Sequence, residues 1–316
     1  MKPFFYTISC LILLNACTKV ITVDIPDPKE EIVVEGFIEP NQPPFVTLTR
    51  NQPYFGGFDL NDIESYFVHD ARVIISSGND SVELTEWCVD DFDEEYQHEI
   101  AAALGYDFDD SLDVPNLCTY TIPDLYDYLI YGTAEFLGEI RKKYNLYIEA
   151  EGKVLTAHTT IPDLVPLDSL SFRPHADESK DSLVTLYCHF DEPDTLGNFL
   201  RYWTQRNSEP MYAPVAQSTF DDKLFNGQTF SLPLERGQDP QDDLDFDTYS
   251  YFWRGDTAVV KWSTIDKAHY DFWHTLESDG GDTPFSAPTR IKSNITGGIG
   301  IWGGYGTFLD TLYIPD

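Results

Sequence analysis

Alternating apolar and polar positions run through much of the chain and predict short β-strands. The clearest run is Ile32-Val33-Val34-Glu35-Gly36-Phe37-Ile38. Two further pairs of runs, within residues 71–86 and 144–161, flank turn sequences and predict β-hairpins. Short strands separated by turn signals are typical of a β-sandwich, so we predict a mainly β chain with an immunoglobulin-like β-sandwich over residues 31–163.

The strand pattern stops between residues 89 and 143, where the spacing of apolar residues becomes helical. Asp91-Phe92-Asp93-Glu94 resembles a capping box, and apolar residues follow at helical intervals as far as Leu104. Leu125 and Leu129 suggest a further short helix. We interpret this stretch as a helical insertion at the tip of a hairpin, a position where long insertions often carry function.

A second β-rich domain is predicted over residues 164–316, after the proline-containing boundary at residues 161–166. It contains further strand-like runs and one helix, predicted over residues 263–278. The stretch 297–306 near the end of the chain is rich in glycine, which weakens a strand unless something packs closely against its backbone. We favour a tightly packed, bulged strand pair here. The alternative is a ligand platform that uses Trp302 and Tyr305.

The first 16 residues have the layout of a secretory signal peptide, with Lys2 followed by an apolar run too short to cross a bilayer. Leu14-Asn15-Ala16-Cys17 resembles a bacterial lipobox, which implies cleavage before Cys17 and lipidation of that cysteine. Residues 17–30 would then be a lipidated tether. Because no aspartate directly follows Cys17, we expect an outer-membrane lipid anchor. We expect the protein to face the surface rather than the periplasm. The alternative is an ordinary cleaved signal peptide.

Acidic residues outnumber basic ones by 54 to 20, and the formal net charge is −34. A chain of this charge is repelled by nucleic acid, so we exclude nucleic acid as a partner. Cys88 and Cys118 bracket one acidic segment, and we predict a disulfide between them, as suits an oxidising compartment. Cys188 is predicted to be a buried free thiol.

Alternating aspartates at Asp243, Asp245 and Asp247 present hard oxygen ligands of the kind that suits Ca²⁺. The pattern of an EF-hand fails, because Tyr249 and Ser250 occupy the region of its turn glycine. Asp107, Asp109, Asp110 and Asp113 form a second candidate. A solvated acidic loop is the alternative at both places, so a structural calcium is the one cofactor under consideration.

Familiar catalytic motifs are missing from the sequence, including the nucleophile elbow, the zinc-protease helix, the phosphate loop and the dinucleotide fingerprint. His269 and His274 are five residues apart, which separates them by about 140° on a helix and makes them a poor metal pair. We therefore predict a protein that is not an enzyme. A hydrolase that uses a pair of carboxylates is the less favoured alternative.

Several segments together resemble a family of Bacteroidota lipoproteins of unknown function. They are Cys17 with Asp24-Ile25-Pro26, residues 32–38, Thr47-Leu48-Thr49-Arg50 with Pro53-Tyr54-Phe55, residues 156–162 and residues 293–301. The resemblance implies an immunoglobulin-like N-terminal domain, a second β-rich domain and no established catalytic residue. Such proteins are often encoded beside TonB-dependent receptors.

The resemblance therefore implies an accessory to a TonB-dependent β-barrel receptor, acting in ligand capture or complex assembly. The competing interpretation is a stand-alone glycan- or calcium-binding surface lipoprotein. Six tryptophans are enough for a sugar-stacking platform.

Overall fold

A computed structural model describes residues 30–51, 60–103, 114–224, 226–239, 243–278 and 290–316. It confirms a mainly β chain with few helices. The strands are β1 (Ile32–Ile38), β2 (Phe45–Arg50), β3 (Arg72–Ser77), β4 (Asp80–Cys88), β5 (Cys118–Thr121), β6 (Lys143–Ala150), β7 (Lys153–Thr160), β8 (Ser169–Pro174), β9 (Leu183–Asp191), β10 (Phe199–Arg206), β11 (Thr219–Asp221), β12 (Thr229–Leu234), β13 (Phe252–Trp253), β14 (Thr257–Ile265) and β15 (Ile299–Tyr313). The α-helices are α1 (Glu94–Ala103), α2 (Leu125–Tyr131) and α3 (Lys267–Ser278).

Eleven strands form one sheet in the order β11-β10-β14-β15-β1-β2-β5-β4-β3-β6-β7. The strand β15 pairs in parallel with β1 and antiparallel with β14, so it joins the first half of the chain to the second. Strand β9 pairs with β8, β12 and β13 in a smaller sheet. The boundary predicted at residue 164 lies between β7 of the large sheet and β8 of the smaller one, and the large sheet contains strands from both sides of that boundary.

Two large hydrophobic cores lie on either side of this junction. The first contains residues of β1 to β7 together with Trp302 of β15, and the second contains residues of β8 to β14. The change from one core to the other falls between Ile161 and Val165. A smaller core lies beneath the helical insertion and includes Val89, Ala101 and the half-cystine Cys118.

The helix predicted over residues 263–278 begins later than expected. Strand β14 continues to Ile265, and α3 starts at Lys267. The carboxylate of Asp266 accepts a hydrogen bond from the backbone N–H of His269 at 2.9 Å. A side chain in this position caps the free N–H groups of a first helical turn, which explains the late start. No helix in the described part of the chain is both long and apolar enough to cross a membrane.

The glycine-rich stretch is the central strand β15, and its glycines make room for neighbouring groups. A Cβ atom added to Gly303 would lie 2.3 Å from the ring of His269, so α3 can approach the sheet only at a glycine. Trp302 is fully buried, and its indole nitrogen donates to the backbone oxygen of Tyr144 at 3.2 Å. The ligand-platform interpretation is therefore wrong for Trp302, because its ring is part of the core.

Candidate functional site

The outward face of β1 carries a concave surface. Ile32, Val34 and Ile38 point into the core and are fully buried, so the alternate residues of the strand face the other way. Three adjoining cavities of about 200, 230 and 340 Å³ lie over this face, and Glu35 lines all three. We call them the insertion cavity, the arginine cavity and the helix cavity, in that order.

The insertion cavity is mainly apolar and lies between β1 and the helical insertion. Its walls are formed by Phe37, Phe45, Trp87, Phe92, Ile100, Leu125 and Leu129, among others. Cys88 also lines it, and the structure joins Cys88 to Cys118 in a disulfide with Cα atoms 4.1 Å apart. These are the two cysteines that the sequence analysis pairs. Because they face each other across β4 and β5, the disulfide ties the base of the insertion to the sheet.

The arginine cavity combines aromatic rings with charged groups. Arg201 is only 4% exposed and lies 3.5 Å from the ring centre of Trp273 and 4.4 Å from that of Trp203. Its guanidinium donates to Ser218 Oγ at 2.9 Å and to Tyr305 Oη at 3.1 Å. A guanidinium can stack on aromatic rings and donate hydrogen bonds in its own plane at the same time, and both occur here.

Two ion pairs hold the charges of the arginine cavity. Arg201 Nη2 lies 3.8 Å from Glu277 Oε1 on α3, and Lys261 Nζ lies 2.5 Å from Glu39 Oε1. Arg201 is on β10 and Lys261 is on β14. The first ion pair therefore links β10 to α3, and the second links β14 to the end of β1. The cationic groups of this cavity therefore already have anionic partners.

Glu35 differs from the other charged residues of the site. Its carboxyl group forms neither a hydrogen bond nor an ion pair within the described part of the chain. Its side chain is exposed to water through the cavities. The surrounding protein partly desolvates the carboxyl group and raises the pKa of Glu35, and the positive charge of Arg201 opposes the rise. Glu35 is thus a carboxyl group without a partner in the described part of the protein, at the meeting point of three cavities.

The helix cavity lies between the β1–β15 pair and α3, and it is mainly apolar. Val33, Phe272, Leu276, Ile291, Ile299 and Ile301 line it. His269 fixes α3 over β15: the imidazole is fully buried, and its ring centre is 4.2 Å from that of Tyr305. Burial lowers the pKa of His269 well below its usual value, so the ring is neutral at physiological pH.

The structure separates the two residues of the predicted ligand platform. Tyr305 lines the arginine cavity and contacts Arg201, whereas Trp302 lies in the core. Cys17 and the acidic run from Asp107 to Asp113 lie outside the described residues.

The predicted calcium ligands Asp243, Asp245 and Asp247 are all exposed. The carboxylate of Asp245 accepts hydrogen bonds from Thr248 Oγ1 at 2.8 Å and from the N–H of Asp247 at 3.0 Å, as in a tight turn. Asp247 pairs with Lys180 at 3.4 Å. These contacts explain the alternating aspartates as residues that form a turn. They do not make the three carboxylates converge on a common point.

Within the described ranges, one group of side chains has the spacing of metal ligands: His69, Glu86, Cys88 and Cys118. The disulfide occupies both sulfur atoms, and His69 pairs with Glu86 at 2.5 Å. A metal ion needs free thiolates at such a site, so the oxidised chain does not offer one.

Sequence reasoning missed Glu35, Arg201, Lys261 and Trp273 as members of one site. A signal for Glu35 was present, since it is the one charged residue inside the apolar run of β1. Arg201 likewise stands between Leu200 and Tyr202 in a strand whose neighbours are buried. Neither position shows by itself which distant residues it will meet.

One family model matches the sequence over residues 18–308, and its description is a domain of unknown function, DUF4249. The match covers nearly the whole chain, including every residue that lines the three cavities. A comparison with curated proteins found no match.

Proposed function

This chain belongs to the family of the domain of unknown function DUF4249, and from that premise we propose that it is a non-catalytic protein that captures a mainly apolar ligand over the outward face of β1. The observation that carries the proposal is the sharing of Glu35 by three adjoining cavities, two of them apolar. Ligand sites are usually concave and apolar, with a few polar groups that fix the orientation of the ligand.

The pairing of charges favours binding over catalysis. Arg201 and Lys261 are engaged by Glu277 and Glu39, so they hold the aromatic walls in place rather than project free groups towards a substrate. Glu35 is the carboxyl group left to meet a ligand, because it has no hydrogen-bond or ion-pair partner among the described residues. We therefore propose a ligand with one polar group at Glu35 and apolar parts in the insertion and helix cavities.

The N-terminal sequence supports a place for this capture at the outer membrane. A signal peptide followed by the lipobox-like Leu14-Asn15-Ala16-Cys17 supports lipidation at Cys17. The resemblance to Bacteroidota lipoproteins supports a surface-facing accessory to a TonB-dependent receptor, which would receive the captured ligand.

Ligand capture can be tested with two neighbouring substitutions on α2. Leu129 and Ile130 are 60% and 68% exposed, but only Leu129 lines the insertion cavity. We expect Leu129→Asp to weaken binding of the neutral apolar probe N-phenylnaphthylamine at least tenfold, or about 1.4 kcal/mol, because a carboxylate replaces apolar wall. Fluorescence titration measures the affinity.

Ile130→Asp is the matched control, because it adds the same charge to the same helix outside the cavity. It should leave probe affinity within about twofold of the wild type, a difference of less than 0.5 kcal/mol. Equal losses in the two variants would mean that the probe responds to surface charge, and the absence of any loss would remove the insertion cavity from the proposal.

The accessory role is tested by gentle purification of the tagged, full-length protein from outer membranes. We expect a TonB-dependent β-barrel to be recovered in near-equal amount. Cys17→Ser is the control, because it removes the thiol to which lipid would attach and should move the protein to the soluble fraction. Recovery of the anchored protein alone would refute the accessory role and leave ligand capture to be judged by the probe.

A further inference from the structure

Two loops at one end of the smaller sheet bring a second set of acidic residues together. The β9–β12 ladder pairs Asp191 with Thr229, and it continues where the N–H of Glu192 donates to the oxygen of Gln228 at 3.1 Å. Further along the same pair of loops, Asn226 Nδ2 lies 3.4 Å from Asp194 Oδ1. The N–H of Asn226 donates to the backbone oxygen of Asp222 at 2.8 Å, so Asp222 and Asn226 lie in one turn of the loop that adjoins Glu192.

Two oxygen atoms in these loops are buried without a hydrogen-bond partner. Glu192 is 4% exposed, and only its Oε1 is satisfied, by Asn198 Nδ2 at 2.8 Å. Within the described residues, Glu192 Oε2 and Asn226 Oδ1 have no donor. A buried polar atom that is left without a hydrogen bond is destabilising, so two such atoms in adjacent loops indicate a missing partner.

A second buried carboxylate adjoins them. Asp222 is 3% exposed, and its Oδ2 accepts hydrogen bonds from the N–H groups of Gly197 and Asn198 at 2.7 and 2.9 Å. Asn198 thus contacts both Glu192 and Asp222. Along the described chain, no lysine, arginine or histidine forms an ion pair with either carboxylate.

Among the described side chains, neither buried carboxylate has an ion-pair partner, and the neighbouring Lys223, whose charge acts on Asp222, is paired with Asp221. Burial raises the pKa of Glu192, and the negative charge of Asp222 raises it further. Buried charges in proteins are paired with opposite charges or coordinate metal ions. An oxygen-only set of two carboxylates and one amide, carried on loops, fits the flexible coordination of Ca²⁺ better than that of metals that prefer nitrogen or sulfur ligands.

We propose that Glu192, Asp222 and Asn226 form a Ca²⁺ site that ties the β9–β10 loop to the loop between β11 and β12. The cation would supply the missing partner of Glu192 Oε2 and Asn226 Oδ1, and water would complete its shell. This site is separate from the exposed aspartates 243–247 and independent of ligand capture at Glu35.

The test is thermal unfolding of the purified full chain with Ca²⁺ or with a chelator. At about 1 mM Ca²⁺ we expect the Tm to rise by about 3 °C or more. Glu192→Gln should lose this rise while remaining at least as stable as the wild type in chelator, because glutamine keeps the shape and removes the unpaired charge.

Asp245→Asn is the matched control, since it removes one carboxylate from the exposed aspartate loop, and it should keep the full Ca²⁺ effect. A Ca²⁺ effect lost in Asp245→Asn but kept in Glu192→Gln would overturn the proposal in favour of that loop. The lack of any rise in the wild type would overturn it outright.

Asn226→Ala provides a second variant in case Glu192→Gln does not fold. It removes one of the two orphan oxygens at a half-buried position, and calorimetric titration should show Ca²⁺ affinity reduced at least tenfold, about 1.4 kcal/mol. Unchanged affinity in a folded Asn226→Ala variant would exclude this residue as a ligand and overturn the site as proposed.

Discussion

Replacing Gly300 with alanine is expected to lower the free energy of unfolding by more than about 3 kcal/mol. Gly300 lies at the start of β15 and faces Val34 of β1 in the parallel ladder. A Cβ atom added there would lie 2.0 Å from the backbone oxygen of Val34, and the φ angle of +114° already disfavours any side chain. Because the contact is with backbone, the two strands must separate to admit the methyl group.

Gly78→Ala is the control that isolates this contact. Gly78 also has a positive φ, of +61°, but it lies in the β3–β4 turn and an added Cβ would meet nothing within 4 Å. Its replacement should cost only the backbone strain, about 1 kcal/mol. Urea unfolding followed by tryptophan fluorescence gives both values. Similar losses for the two variants would show that close packing of β1 and β15 contributes little.

Local features of the fold were predictable because the residues that determine them are adjacent in sequence. The β3–β4 and β6–β7 hairpins follow from apolar alternation around Gly78 and Gly152, both of which have positive φ in the turns. The loop between β3 and β4 contains only Gly78 and Asn79, because Ser77 and Asp80 pair with each other. Helix α1 follows from its apolar spacing, but the predicted capping box is wrong: the helix begins at Glu94, and Asp91 instead accepts a hydrogen bond from the N–H of Cys88 at 2.8 Å.

The pairing of β1 with β15 could not be predicted from such patterns. Val34 and Gly300 are far apart in the chain, and an apolar strand sequence does not specify which other strand it will join. Glycines in β15 indicated close backbone contact without naming the partner. The contact partners are His269 above Gly303 and Val34 beside Gly300, and both depend on tertiary packing.

The candidate site could not be predicted for the same reason, because distant parts of the chain form it. Its polar residues come from β1, β10, β14, α3 and β15, so no window of sequence contains more than a few of them. The aspartates 243–247, by contrast, form an obvious pattern, yet their hydrogen bonds serve a local turn. In so acidic a chain, the sequence spacing of carboxylates is weak evidence for a binding site. A buried carboxylate oxygen without a partner is stronger evidence.

Arg201→Ala is the second substitution for which we expect a large effect, a loss of about 3–5 kcal/mol in the free energy of unfolding. It removes the guanidinium that lies between Trp203 and Trp273, and it leaves Glu277 without its cationic partner. Glu277 also accepts a hydrogen bond from the N–H of Ser218 at 2.9 Å, so the unpaired charge cannot simply turn towards water.

Arg141→Ala is the matched control, because Arg141 forms an ion pair with Asp163 at 2.5 Å while its side chain is 78% exposed. An exposed pair contributes about 0–1 kcal/mol, so this variant should unfold almost as the wild type does.

Arg201→Met should recover part of the lost stability by filling the space between the rings, but it does not restore the hydrogen bond to Tyr305. If Arg201→Ala cost no more than Arg141→Ala in denaturant unfolding, the arginine cavity would not depend on its buried guanidinium. A full loss would instead show that one residue of β10 holds α3 against β15 and so keeps both the arginine and helix cavities in shape, with Glu35 where they meet.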